Sequence, residues 1–431
     1  MAQPRRPRNA RSIDQVTYDV AIVGGGLVGG TLACALAGHG VRTVLIDRLP
    51  PTAGLSEDFD GRASAIAASG QRLLSAVGVW PHLAAHAEPI REIRVSDGPS
   101  LLFLHYDHAE LAEPGAPAEP LGQMLENRTL RAGLAARIAR LSAAPRAVLD
   151  VRAPATVRGV AQDADFASLT LSDGTRIRAR LAVAADGRQS TLRDAAGLRV
   201  TGWDYPQVAI VATIAHDHPH QGIAHERFLS PGPFAILPLR DDDTGRHRSS
   251  LVWTEHAARA ADYLALPAAR FLAEIADRVG GFLGRLTLIG PRFSYPLGLQ
   301  LAEDYARGRL ALVGDAAHGI HPIAGQGLNL GLRDVAALTE IVVDAQRLGL
   351  DAATADGLAR YRRWRRADNL LMAGATDALN RLFSTDAAPV RLARDLGLGA
   401  VNAAGPLKRL FMRHAMGLTG ELPKLMRGLS I

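Results

Sequence analysis

The feature that most constrains this chain lies near its start. Tyr18-Asp19-Val20-Ala21-Ile22-Val23 is an apolar, β-branched run that passes directly into Gly24-Gly25-Gly26-Leu27-Val28-Gly29. A helical stretch, Thr31 to Ala37, and a second apolar strand, Thr43 to Ile46, follow and end at Asp47. Strand, glycine turn, helix and strand with a terminal acid form the dinucleotide-binding unit. Gly24 permits the tight turn, Gly26 lets backbone approach a pyrophosphate, and Gly29 lets helix pack close on strand. The phosphates belong on the free N–H groups and positive dipole end of the helix. Asp47, 23 residues beyond Gly24, stands where a carboxylate accepts from ribose hydroxyls. An acid here favours an unphosphorylated ribose, hence FAD or NAD over NADP. Cys34 falls inside the helix among small residues and reads as packing. As the chain's one cysteine, it excludes an intramolecular disulfide framework.

A second segment has similar grammar. Arg309 to Val313 reads as a strand and ends in Gly314-Asp315; Pro322, Gly325, Gln326, Gly327 and Asn329 lead into a helix from about Gly327. Leu328, Leu332, Val335, Leu338 and Val342 share its face. Two helix N-termini suit one long ligand with two ends, a flavin dinucleotide, better than a nicotinamide held by one unit. Asp315 has the chemistry to hold a ribityl hydroxyl or reach the phosphates through water. Between the segments, Ser172-Asp173-Gly174-Thr175 separates two alternating runs and predicts a hairpin. Val208–Ile214, Phe234–Leu239 and Ser249–Trp253 predict strands of an antiparallel sheet suited to holding a substrate. The last hundred residues are helical in pattern, with few turn signals before Gly397.

Gly24–Gly29, Asp186-Gly187-Arg188-Gln189-Ser190-Thr191-Leu192-Arg193 and Gly314-Asp315 together resemble the three fingerprints of the flavoprotein aromatic hydroxylases, the p-hydroxybenzoate hydroxylase-like FAD monooxygenases. The finer resemblance is to the ubiquinone-biosynthesis flavin-dependent hydroxylases. It rests on Asp60–Ile66, Glu126-Asn127-Arg128, Glu226-Arg227-Phe228, Ser294-Tyr295-Pro296-Leu297 and the whole Gly314–Asp334 run. The resemblance implies an α/β fold: a Rossmann-like FAD-binding domain with an inserted antiparallel-sheet substrate domain and a helical C-terminal region. The expected division is a disordered basic tail (1–17), a split FAD-binding domain (18–85, 110–200 and 301–345), a substrate sheet (86–109 and 201–300) and the helical region (346–431). It places Arg62 and Arg128 near the FAD phosphates and adenosine, where an arginine fork suits the task. Asp186 and Gly187 would lie near both the pyrophosphate and the path of NAD(P)H. Pro322, Gly325, Gln326 and Gly327 would line the isoalloxazine face, with Asn329 at its pyrimidine edge. Leu27, Val28, Arg48, Gly314 and Leu328 complete the expected cofactor contacts.

The resemblance further implies NAD(P)H as a transient reductant, O2 as co-substrate and a lipophilic prenylphenol substrate. Flavin monooxygenases need little acid–base chemistry from the protein, and no residue is assigned as catalytic. No second strand–glycine–helix unit with a later acid exists to hold NAD(P)H in a domain of its own. A soluble hydroxylase of small phenols, and a flavin-bound accessory subunit of a quinone-synthesis complex, are the competing readings.

Net charge is +6, and only Lys408 and Lys424 are not arginine among 49 basic residues. A basic chain raises nucleic acid as a partner, but the charge is uneven. Residues 1–12 carry +4; residues 358–431, with 13 basic and 5 acidic residues, carry +8; the remainder is −6. An acidic body weakens the nucleic-acid reading, because a basic footprint belongs on the main folded surface, and no nucleic-acid partner is expected. The basic C-terminal stretches are Arg360–Arg366, five arginines around two aromatics, and Pro406–Met416. On the latter, Leu407, Leu410, Phe411 and His414 share a face, with Lys408, Arg409 and Arg413 turned elsewhere. Three roles stand open for them: a solvated, docking helix surface, contact with anionic lipid, or association with another subunit. No apolar run of about 18 residues spans a bilayer and no secretory signal is visible. The expected location is cytoplasmic, peripheral on the inner face of the cytoplasmic membrane. No metal is expected: Asp315-x-x-His318-x-x-His321 and the His216–His220 cluster with His225 read as turn and loop residues.

Overall fold

The computed structural model describes residues 17–56, 60–98, 100, 103–112, 115, 117–384 and 388–431. The expected basic tail, with Arg5, Arg6, Arg8 and Arg11, lies outside the described residues apart from Thr17.

The strand Thr17–Val23 forms the middle of a parallel sheet. Thr43–Ile46 and then Leu149–Arg152 lie on one side, Arg176–Ala184 and then Leu310–Leu312 on the other. Val20, Ala21 and Ile22 are all fully buried, as a strand covered on both faces requires. The helices Leu27–Gly38 and Asn127–Ser142 pack against this layer, and Gln326–Arg347 packs on the first of them. Cys34 is buried in the first of them, and burial pushes its thiol up to about 12. The predicted hairpin joins Ala167–Leu171 to Arg176–Ala184, with Gly174 at φ +84° in its turn.

A second sheet runs in the order 318–319, 286–302, 200–216, 247–256, 232–239, 223–229, 92–97, 103–107. It is antiparallel except where Ile223–Leu229 lies parallel to Glu92–Asp97. The three predicted strands fall inside the longer Val200–His216, Gly232–Leu239 and His247–His256. Side chains alternate across this sheet. Ile210, Ala212 and Ile214 turn outward with Phe234, Ile236, Leu251 and Trp253, and pack on Tyr263, Phe271 and Ile275 of the helices Ala257–Ala265 and Ala268–Val279. Each large apolar side chain buried there stabilises the layer by about 1.5–3 kcal/mol. Ala209 and Val211 therefore face the other way, toward the parallel sheet.

Glu88–Ile90, expected in the substrate sheet, pairs instead with Gly122–Glu126, which also pairs with Ala63–Ala67. The C-terminal region holds the helices Ala355–Phe383, Ala388–Ala403 and Gly405–Ala415. Gly397 lies inside the second of these and turns nothing. The chain then folds back, so that Leu425, Met426 and Ile431 join the core of the parallel layer. Among the described residues no helix is long and apolar enough to cross a membrane.

Candidate functional site

The first glycine turn is shaped by contacts that exclude any side chain. Gly24 sits at φ +106°, and a Cβ there would stand 2.2 Å from the Ala185 carbonyl oxygen. At Gly29 it would stand 1.9 Å from the Gly24 carbonyl oxygen, so helix and strand touch through bare backbone. Gly26 differs: a Cβ would meet nothing within 4 Å, and no side chain caps the helix it begins. The Asp47 carboxylate accepts from the Gly25 N–H, and its second oxygen accepts from the Leu49 N–H at 2.7 Å. These bonds fix the acid beside the turn.

The second glycine segment meets the first at Val28. A Cβ at Gly314 would stand 3.0 Å, and one at Gly331 2.6 Å, from a Val28 methyl. The helix Gln326–Arg347 begins at Gly325, in the left-handed region at φ +63°, again without a side-chain cap. Gly327, one residue into it, has open space where a side chain would be. Two helix N-termini without side-chain caps thus meet, each with N–H groups that have no partner within the helix and with positive dipole.

Behind the second turn lies a buried charge network. Asp334, fully buried, accepts from the Gly314 N–H at 2.9 Å, from Arg365 Nε at 2.7 Å, and pairs with His318 Nε2 at 2.6 Å. Arg365 also reaches Asp368, which holds Arg333 as well. Burial works against the Asp334 carboxylate, yet His318 and Arg365 hold its pKa below the ordinary value. One anion therefore ties the glycine turn to a helix of the C-terminal region.

A cleft of about 830 Å³ opens between the two turns and the inner face of the second sheet, within the ~300–1,000 Å³ of small-molecule sites. Gly24, Gly26, Leu27, Val28, Asp47, Arg48, Arg62, Asp186, Gly187, Asp315, Pro322, Gly325, Gly327 and Leu328 line it. Gly29 and Gly314 stand behind its wall as packing positions, and Gln326 is buried at the helix start. Two expected contacts point elsewhere. Asn329 donates to the Ala65 carbonyl at 2.8 Å and accepts from the Ala67 N–H at 2.9 Å. Its amide clamps the strand Ala63–Ala67 to the helix. Arg128 pairs with Glu126 at 3.1 Å and does not line the cleft; Arg131, a turn further along the same helix, does. The three-to-four spacing from Asn127, which also lines the cleft, is the sequence signal for Arg131.

Arg62 forks onto Asp60, Nη2 to Oδ2 at 2.7 Å, and lies 4.8 Å from the centre of the Tyr295 ring. Burial raises the Asp60 pKa, but the Arg62 bonds outweigh it and hold the carboxyl below its usual range. Burial, reinforced by Asp60, pushes the Tyr295 hydroxyl up, so it stays protonated at neutral pH. The opposite wall is apolar: Ala209, Val211, Val252 and Leu297. Tyr295 and Leu297, of the Ser294–Leu297 run, are thus part of the cleft.

The histidines serve separate contacts. His318 turns to Asp334, while His321 packs edge-on against Tyr205 at 5.4 Å, and burial pulls its imidazole down to about 4. His216 bonds the His218 carbonyl and Ser249, and His220 bonds the Leu239 carbonyl and the Gly222 N–H.

The cleft fits FAD on its own features. Asp186 Oδ2 accepts from the Thr191 N–H at 2.9 Å, whereas Oδ1 is shielded from solvent with no partner among the described residues. A buried acceptor of that kind calls for a donor from a ligand. Gly26 and Gly327 leave room where a dinucleotide would pass.

Comparison with known proteins agrees. The family model "FAD binding domain" matches residues 17–368. Ubiquinone hydroxylase UbiL of Rhodospirillum rubrum is 54% identical over 423 residues, covering 97% of this chain and 95% of that protein. The 3-demethoxyubiquinol 3-hydroxylase of Escherichia coli is 37% identical, with 93% and 98% covered. Mouse COQ6, a mitochondrial ubiquinone biosynthesis monooxygenase, is 32% identical, with 95% and 93% covered. In fold, the chain is similar to p-nitrophenol 4-monooxygenase PnpA of Pseudomonas putida, with a TM-score of 0.75 at 22% identity over 94% of this chain and 99% of that one. An FAD cleft built from two glycine turns, with relatives that match nearly end to end, places the chain among the ubiquinone-biosynthesis hydroxylases of the FAD binding domain family.

Proposed function

We propose that the protein is an FAD-dependent, NAD(P)H-consuming monooxygenase that hydroxylates the aromatic ring of a polyprenylated phenol in ubiquinone biosynthesis. The observation that carries this reading is the pairing, across one cleft, of a cofactor wall rich in N–H donors with a substrate wall of Ala209, Val211, Val252 and Leu297. The first wall recognises a dinucleotide; the second offers an aromatic ring and its prenyl chain apolar contact and no competing charge. The names of the relatives supply the substrate class.

Gly24 and Gly26 would hold the pyrophosphate on the first helix, with Gly29 packing helix on strand behind them, Asp47 the adenosine ribose, and Arg62, Arg131 and Asp186 the polar middle of the cofactor. Pro322, Gly325, Gly327 and Leu328 would carry the ring end. Bound FAD, reduced by NAD(P)H, supplies the activation of O2. The chain's own residues orient the ring carbon and exclude water from it. Ala209, Val211 and Val252 do so as inward positions of adjacent strands, with Val211 directly opposite Val252. Tyr295, held protonated, can donate to a polar atom at the cleft. The protein works at the inner face of the cytoplasmic membrane, where such a substrate resides.

Deleting the gene and profiling quinone intermediates by mass spectrometry tests the reading. Accumulation of an under-hydroxylated prenylphenol is expected; normal intermediates and full quinone in a strain with no other ring hydroxylase would contradict it.

A further inference from the structure

The helix Ala355–Phe383 rests on the protein through apolar Leu358, Tyr361, Met372 and Phe383 and, between them, through buried polar side chains. Its inward positions carry Arg365, Asn369, Thr376 and Asn380, each at most 4% exposed. Arg365 is committed to Asp334, the Asn369 amide donates to the Tyr305 hydroxyl at 3.1 Å, and the Asn380 amide donates to Gln207 Oε1 at 3.1 Å. Its outward positions between 367 and 382 are alanine, glycine and leucine, broken by Arg381 alone. Leu370, Leu371, Leu379 and Leu382 are 39–64% exposed there.

The next two helices also bury charge, beside apolar Met412 and Leu398. Arg394 is buried on Asp97 at 2.7 Å, and Lys408 is buried against Glu110. Leu396, Leu407, Leu410 and Phe411 are 41–59% exposed instead. The spacing groups Lys408 with Arg409 and Arg413, apart from Leu407, Leu410 and Phe411; the ion pair buries Lys408 and leaves both arginines and all three apolar side chains exposed. The arginines of the 360–366 stretch divide differently. Arg360 pairs with Glu340, Arg362 with Asp304 and Arg365 with Asp334, so three of the five are spent on the fold.

From 367 to 413, every exposed charged side chain among the described residues is an arginine: Arg381, Arg391, Arg409 and Arg413. An exposed apolar surface rimmed by charge marks an interaction site. A second copy related by a two-fold axis would set this arginine-rimmed face against itself. An anionic bilayer suits both components, since the leucines enter the acyl boundary while arginine heads remain at the phosphates.

We propose that the outward face of helices 367–413 is the surface on which the protein rests against an anionic lipid bilayer. The proposal takes only its purpose, delivery of a bilayer-borne substrate, from the functional reading above.

Flotation tests it with the full-length, FAD-loaded protein and two vesicle types, phosphatidylcholine alone and an equimolar mixture with phosphatidylglycerol. The protein is expected to float with the anionic vesicles and to stay behind with the neutral ones. Leu371→Gln/Leu410→Gln/Phe411→Gln should abolish flotation, and Arg409→Gln and Arg413→Gln should each weaken it about fivefold. Leu350→Gln, at a residue exposed elsewhere, should change nothing. These exposed substitutions leave the fold intact, which bound FAD verifies. Wild-type protein that ignores anionic vesicles would overturn the proposal, as would a triple variant that floats normally. A dimer that the triple variant converts to monomer, with vesicle binding unchanged, would assign the face to a second copy and overturn it too. Turnover of a short-chain phenol is read separately, so its loss with flotation retained would count against the functional reading alone.

Discussion

Gly26→Glu separates binding from folding at the centre of the cofactor wall. No atom lies within 4 Å of where a Cβ would stand, and the Gly26 backbone is at φ −65°, open to any residue. The apo fold should therefore lose no more than about 1 kcal/mol, the range of helix N-cap changes. A carboxylate here faces the position assigned to the pyrophosphate. Two like charges at ~4 Å in an effective dielectric of ~20 repel by about 4 kcal/mol, or about a thousandfold in FAD affinity. Gly29→Ala is the opposite case, because its methyl would stand 1.9 Å from the Gly24 carbonyl oxygen. It should destabilise the apo protein before affinity is measured. Apo thermal denaturation with titration of FAD by quenching of flavin fluorescence reads both quantities. A Gly26→Glu protein with ordinary stability and ordinary FAD affinity would refute the placement of the pyrophosphate.

Three further outcomes follow from the same geometry. Arg365→Met leaves Asp334 buried without its cation and should cost about 3–5 kcal/mol, seen as a lowered thermal midpoint; an unchanged midpoint would show that the network carries no stability. Asp334 and Asp368 have folded-state pKa values below their unfolded ones, so their stabilisation is complete above the unfolded value of about 3.9 and is lost as pH falls through the folded values. Thermal midpoints measured downward from neutral pH should hold until about pH 5 and then fall, whereas an earlier fall on the alkaline side would contradict the sign. Val252→Trp adds bulk to the substrate wall and should raise KM for a prenylphenol at least about tenfold, the scale of 1.4 kcal/mol, with FAD content unchanged; loss of flavin instead would move Val252 to the cofactor side.

The parts of the site that sequence reveals are those where backbone itself makes the contact. Gly24, Gly26 and Gly29 are set by local sterics, so a strand, a turn and a helix in succession suffice to place them. Asp47 follows from the end of the next strand. Side-chain partners chosen across the fold are a different matter. Asn329 bonds backbone 264 residues away, and nothing near it in the chain distinguishes an amide that clamps a strand from one that meets a ligand. Arg128 and Arg131 differ by less than one helical turn, and only the pairing of Arg128 with Glu126 decides which lines the cleft. In the C-terminal helices the spacing shows that one face is apolar, but the direction of that face depends on Asp334, Asp97 and Glu110, acids from three other elements that draw the cations inward.

The central claim is that one cleft holds FAD and hydroxylates a prenylphenol ring. Its most direct test is turnover of the purified, FAD-loaded protein with NAD(P)H, a short-chain prenylphenol and isotopically labelled O2, followed by mass spectrometry of the phenol. The prediction is a ring-hydroxylated product carrying one labelled oxygen atom, absent when FAD is removed and restored when it is returned. NAD(P)H oxidation that yields only reduced oxygen, or a product whose new oxygen comes from water, would contradict it.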